Sequence, residues 1–182
     1  MPSIEIVAAT SDISAAQEAA SSVRGQLFID NREHAKVPFR ALVTAVTDDI
    51  TPLEEIADFG LYVVCRRTIK AGTAGAYSLS PMIHHPDKTH KECDTHWRDV
   101  HAPLALVHHA YMTHYAQLSV IRKLQGTDMD GFAFCGFATA DDIRDRFFTT
   151  KESVPVILAD IQNFADTKNS PKPLIAVPAH VH

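Results

Sequence analysis

Thr89-His90-Lys91-Glu92-Cys93-Asp94-Thr95-His96-Trp97-Arg98-Asp99-Val100-His101-Ala102-Pro103-Leu104 is the stretch whose reading decides the fold. Thr89 followed three residues later by Glu92 spells a capping box, the mark of a helix start. From there Cys93, Trp97, Val100, Leu104, Val107 and Tyr111 advance by three and four, the spacing of one helical face, so this side is expected to pack on a core. His101 lies one turn from both Trp97 and Leu104 and falls on the margin of that stripe.

Outward from this helix, the same order of elements is read twice. In the first half the pattern predicts a strand from Ile4 to Ala9 and a helix starting at Ser14, with Ile13, Ala16, Ala20 and Val23 on one face and Gly25 as its stop. Extended runs follow at Gln26 to Asp30 and Phe39 to Thr47. Thr51-Pro52-Leu53-Glu54 then reads as a capping box with proline in the first turn, and Leu61 to Ile69, after Gly60, as a strand. The second half gives a strand at Tyr77 to His85, the Thr89 helix, strands at Thr113 to Ile121 and Gly131 to Ala138 around a turn at Gly126 to Asp130, a helix from about Asp141 to Phe164 and a strand at Leu174 to Val177. Pro155 is expected to break that last helix into two pieces. Each half is βαββαβ, and Ala71-Gly72-Thr73-Ala74-Gly75-Ala76 joins them as a small-residue linker. A βαββαβ unit makes an antiparallel sheet with both helices on one face, leaving the other face to be covered, and two such units cover each other.

The 182 residues are 46% apolar and 21% charged, enough for a sizeable core. A net charge of −5 speaks against nucleic acid as a partner, since phosphate binding needs concentrated Lys and Arg. No purely apolar run is long enough for a membrane span, and Met1-Pro2-Ser3-Ile4-Glu5 lacks signal-peptide character, so a cytoplasmic protein is expected. Cys65, Cys93 and Cys135 are odd in number and each sits in an apolar pattern, which fits small buried hydrophobes better than a disulfide or zinc framework.

Trp97-x-x-x-His101-Ala102-Pro103-Leu104, on a helix entered from one strand and followed by another carrying Tyr115, resembles the EthD family of dimeric α+β barrel proteins. The resemblance covers Tyr77 to about Val177. Proteins of that family pair two such units by homodimerising through their sheets. With the element order read twice in this chain, the expectation is an α+β fold of tandem ferredoxin-like βαββαβ units forming an intrachain dimeric α+β barrel, with residues 1–72 a degenerate half and 73–182 the EthD-like half. The resemblance also implies that His101 lies close to the barrel mouth. The Trp-x-x-x-His-Ala-Pro motif is missing from the first half, so the site is expected in the second, with the first half supplying only apolar wall. A homodimer through exposed strand edges is a further expectation.

Seven of the eleven histidines, His84, His85, His90, His96, His101, His108 and His109, fall between positions 84 and 109. Histidine titrates nearest neutrality, so a sequestered one can move protons. Two readings of His101 stay open: a core histidine holding the helix kink at Pro103, or a general acid/base. His108, seven residues on, shares its face. Along Thr113 to Ile121 the odd positions Thr113, Tyr115, Gln117 and Ser119 suit a pocket inside the barrel, and the even positions His114, Ala116, Leu118 and Val120 suit packing under helices. Tyr77, Leu79, Ile83 and His85 share a parity on their own strand. Gly136 suggests a bulge that would bring Phe132, Phe134 and Phe137 to one lining.

The expected catalytic set is therefore His101 with Tyr115 and His85, and the expected substrate-binding set is Trp97, Gln117, Tyr77, His108 and Phe134. The ligand is a small hydrophobic cyclic or aromatic molecule. No His-Glu-x-x-His, paired-cysteine or phosphate-cradling glycine pattern occurs, so neither a metal nor a nucleotide cofactor is expected. Three functions follow: a cofactor-independent lyase, isomerase, decarboxylase or oxygenase; a binding or stress-associated protein for a hydrophobic metabolite; or a haem binder through His101 or His108.

Overall fold

The computed structural model describes residues 2–179. Eight strands, β1 (Ser3–Thr10), β2 (Gln26–Ile29), β3 (Ala41–Ala45), β4 (Gly60–Lys70), β5 (Ala76–Met82), β6 (His114–Gly126), β7 (Gly131–Phe137) and β8 (Leu174–Ala179), form one closed antiparallel barrel in the order β1-β3-β2-β8-β5-β7-β6-β4. The first four strands run β4-β1-β3-β2 around the ring, and the last four repeat that order as β8-β5-β7-β6. Two seams join them, β2 against β8 and β4 against β6. At the first seam buried Asp30 accepts the Ile175 N–H at 3.1 Å and Arg32 Nε at 2.8 Å. Closure pairs every strand on both sides, so the strand edges expected to support a homodimer are consumed within the chain.

The helices α1 (Ile13–Ser22), α2 (Thr51–Ile56), α3 (His90–His96), α4 (Ala102–His108), α5 (Ala140–Asp145) and α6 (Ser153–Ile161) cover the outside. No described helix is long and apolar enough to cross a membrane. Asp12, not Ser14, caps α1 by accepting the Ala15 N–H at 3.0 Å, and at α2 the Thr51 N–H is taken by Asp49 while Thr51 caps nothing. The predicted Asp141–Phe164 helix is two helices separated upstream of Pro155. Pro155 lies in the first turn of α6, where its missing N–H has no intrahelical partner to lose.

The Thr89 capping box is formed as read, with its Thr89 and Glu92 bonds both made. Beyond it the face turns. Residues 97–101 are a π-turn, in which the Ala102 N–H reaches back five residues to the Trp97 carbonyl. Pro103 explains it, because a regular helix would need a Pro103 N–H for Asp99 and would press the ring on that carbonyl. The extra residue rotates everything after Trp97, so the buried side continues through His101, Ala102, Ala105, His109 and Met112. Val100, Val107 and Tyr111, expected inside, are 49%, 67% and 46% exposed.

Inside the barrel lie Val7, Ala9, Phe28, Leu42, Tyr62, Val64, Leu79, Ala116, Leu118, Val120, Phe132, Phe134, Leu174 and Ala176, the alternate residues of successive strands. This reverses the expected parity of β6. Its even positions face the interior, while Tyr115 and Gln117 lie under the helices. The expected bulge at Gly136 is likewise absent: β5 and β7 stay in register from Ala76↔Phe137 to Met82↔Gly131, so Phe137 joins the outer layer.

Candidate functional site at the barrel mouth

Inward-facing residues become polar at one end of the barrel. There Glu5, Gln26, Thr44, Arg66, Thr68, Tyr77 and His114 ring a cavity of about 530 Å³ floored by Phe28 and Phe134. A second cavity of about 460 Å³ continues along the β2–β8 rim and shares Gln26, Phe28, Gly72 and Tyr77 with the first. The walls come from both halves, which corrects the expectation of a purely apolar contribution from the first. An apolar floor with a few convergent polar groups is the usual form of a small-molecule site.

Three strands build the reactive corner. Tyr77 on β5 and His114 on β6 both pair with Gly136 on β7, so the three positions lie in one row across the sheet. A Cβ on Gly136 would stand 2.7 Å from Ala74 Cβ, 2.9 Å from Tyr77 Cε1 and 3.0 Å from His114 Cβ. Glycine is what lets phenol and imidazole meet over that row. Tyr77 also packs edge-on to Phe28 and Phe134, with centroids 5.2 Å and 5.9 Å away.

Arg66 supplies the cation. Its Nε donates to Glu5 Oε1 at 2.8 Å, its Nη2 reaches Thr44 Oγ1 at 3.4 Å, and the guanidinium stands over the Phe134 ring at 5.5 Å. Ser3 Oγ donates to the same Glu5 oxygen at 2.9 Å. His114 Nδ1 is buried and has no hydrogen-bond partner. Burial, helped by the Arg66 charge, lowers the His114 pKa, so the imidazole is neutral at pH 7 and offers a lone pair. Burial raises the Tyr77 pKa, opposed in part by Arg66, and the phenol keeps its proton. A neutral base, a phenolic donor and a guanidinium around one apolar floor can take a proton from a substrate and hold the negative oxygen left behind.

Of the expected catalytic and substrate-binding residues, Tyr77 and Phe134 line this mouth. The others line neither cavity. His101, 8% exposed, hydrogen-bonds through Nδ1 to Asp160 Oδ2 at 2.8 Å, and His96 Nε2 meets the other oxygen at 2.8 Å, so one carboxylate of α6 clamps two histidines. Burial lowers the His101 pKa against the pull of Asp160. Gln117 donates through Nε2 to the Trp97 carbonyl at 2.8 Å and to the Tyr115 hydroxyl at 3.0 Å, tying π-turn to sheet. Trp97 lies under the Arg67 guanidinium, which grips Asp94 at 2.8 and 2.7 Å. His108 Nδ1 is 2.9 Å from Ser153 Oγ. His85 lies beyond the far end of β5 from Tyr77, where its Nδ1 accepts the Asp87 N–H at 3.1 Å. Thus His101, Trp97, Tyr115 and Gln117 are gathered in the layer beneath the helices, away from the mouth.

Arg66, Glu5 and the pocket role of His114 were missed in the sequence. Their signal is parity: Tyr62, Val64 and Arg66 share one face of β4, and Glu5 and Val7 one face of β1. Burial pushes the Cys93 thiol up to about 12, which disfavours the thiolate a nucleophile needs. Among the described residues no group of three or more His, Cys, Asp or Glu side chains is placed to hold a metal.

A family model of the EthD domain matches residues 85–168. No curated protein sequence matches the chain. Solved structures share the fold: an anthrone oxidase-like protein at 10% identity and TM-score 0.58, covering 98% of this chain and 91% of its own, and a Lactobacillus acidophilus protein provisionally named a monooxygenase, at 8% and 0.53, covering 97% and 93%. A Fusobacterium nucleatum protein of the same provisional name gives 10% and 0.54, covering 98% and 94%. At such identities the likeness is one of fold. Residues 85–168 thus match the EthD domain within an eight-stranded α+β barrel.

Proposed function

We propose that the chain is a cofactor-independent enzyme of the oxygenase type, acting at the barrel mouth on a small cyclic or aromatic molecule with an enolisable or phenolic oxygen. One observation carries the reading: a neutral histidine lines the cavity beside a phenol and a guanidinium on an aromatic floor. His114 takes a ring C–H proton, and Arg66 and Tyr77 hold the oxygen of the resulting enolate. That electron-rich carbon adds dioxygen. The hydroperoxide loses water, so a ring CH₂ plus O₂ becomes C=O plus H₂O. The fold's occurrence in proteins named anthrone oxidase-like or provisionally monooxygenase supports this reaction class ahead of isomerase or lyase chemistry. Haem through His101 or His108 fits less well, because neither residue lines the mouth cavities.

In this reading the chain is two ferredoxin-like units, 1–72 and 73–182, supported by the repeated strand order. His101 holds the helix layer and carries no proton for the reaction. The test is oxygen uptake with a panel of bicyclic and tricyclic enolisable ketones. Uptake should fall by about 10²-fold or more in His114→Asn and stay near the starting rate in His101→Asn if that variant folds. Equal uptake by the His114→Asn protein on every active compound would remove His114 from the mechanism.

A further inference from the structure

We infer that the mouth takes an anionic substrate, a ring-bearing carboxylate, with Arg24 as the rim cation that receives its acid group; this rests on the mouth being the reaction site. Arg24 is the only non-glycine among the described residues with positive φ, at 52°. It follows α1, where the Gly25 N–H returns to the Ala20 carbonyl at 2.8 Å and sends the intervening chain through the left-handed region. Glycine is the residue that suits such a position. Here the glycine stands one place later, at Gly25, where a Cβ would lie 2.9 Å from the Thr44 carbonyl oxygen. The left-handed position itself is given to an arginine that lines the cavity.

That arginine makes no side-chain hydrogen bond or ion pair among the described residues. Three charged residues line the cavity, Glu5, Arg24 and Arg66, and Glu5 is committed to Arg66 at 2.8 Å. The mouth therefore carries one positive charge in excess, against a net −5 for the whole chain. A free guanidinium at the rim of an aromatic-floored cavity matches a flat carboxylate, which it can meet with two parallel N–H donors. One rim cation suits a singly charged acid. The ring then extends inward toward Phe28, Phe134 and His114, and the adjoining second cavity leaves room along the rim for further ring substituents.

The test compares 2-naphthoate with its neutral isostere 2-naphthamide by calorimetric titration of the whole chain. The unmodified protein should bind the carboxylate about tenfold more tightly than the amide. Arg24→Gly should abolish that preference and leave amide binding unchanged, with a melting temperature as high or higher because glycine suits the positive φ. Arg24→Lys should keep part of the preference. Equal affinities in the unmodified protein, or a preference that survives Arg24→Gly, would overturn the inference while leaving the mouth as a binding site. So would a melting temperature lowered in Arg24→Gly with both ligands lost, which would make Arg24 structural. If neither compound binds the unmodified protein at all, both this inference and the reading of the mouth fail together.

Discussion

Tyr77 and His114 meet edge to face across Gly136, their ring centroids 5.6 Å apart and their planes at 77°. The contact exists because the middle position of that three-strand row has no side chain. Gly136→Ala is therefore expected to overpack the corner, destabilising the fold by about 1–3 kcal/mol and spreading the two rings. Thermal melts together with titration of a bicyclic ligand check this. An alanine variant with unchanged melting and unchanged binding would show that the row has slack.

Gln117→Leu separates the two layers. It removes the amide that bonds the Trp97 carbonyl and the Tyr115 hydroxyl, leaving a buried phenol without its donor. The expected loss is about 1–3 kcal/mol in chemical denaturation, with ligand binding at the mouth unaltered. Weakened ligand binding with normal stability would instead return Gln117 to the substrate-binding role that its sequence suggests.

Asp160→Ala frees His96 and His101 together. Both rings also lie against Phe164, just beyond α6, with centroids 5.1 Å away, so this carboxylate and that ring hold the C-terminal end of α6 to the helix layer, while the His108–Ser153 contact holds its start. Loss of the carboxylate strands the buried Nδ1 of His101. Hydrogen exchange should rise first in Ser153–Ile161, before the barrel strands. Uniform destabilisation with no local opening of that helix would contradict the clamp.

The pH dependence follows from three histidines. Burial lowers the pKa of His101, of His109 and of His114 below the ordinary 6.5. Between those lowered values and 6.5 the unfolded chain binds more protons than the folded one, so stability rises with pH in that window. The contribution is full above about 6.5 and is lost as pH falls through the folded values. Denaturation midpoints should be flat from pH 7 to 8 and decline below 6.5, less steeply in His114→Asn. Midpoints that improve on acidification to pH 5.5 would reverse the sign.

How far the sequence could be read depended on the range of the interaction. The Thr89 cap was legible because both partners lie within four residues. The buried stripe after Trp97 was misplaced because three-and-four spacing assumes a regular helix; Pro103 carried the warning, since its missing N–H forces the π-turn. The parity of β6 was unreadable because both faces hold polar residues, and Tyr115 and Gln117 satisfy each other and a helix carbonyl out of sight of solvent. The mouth was least visible. Glu5 and Arg66 are 61 positions apart and meet only because β1 and β4 are neighbours.

The most direct test follows the histidine rings by long-range ¹H–¹⁵N NMR while a bicyclic phenol such as 2-naphthol is titrated in. If the mouth is the site, the His114 imidazole signals shift saturably with ligand, while the His101 signals, locked to Asp160, stay in place. Saturable shifts at His101 with His114 unmoved would contradict the account and put the chemistry back beneath the helices.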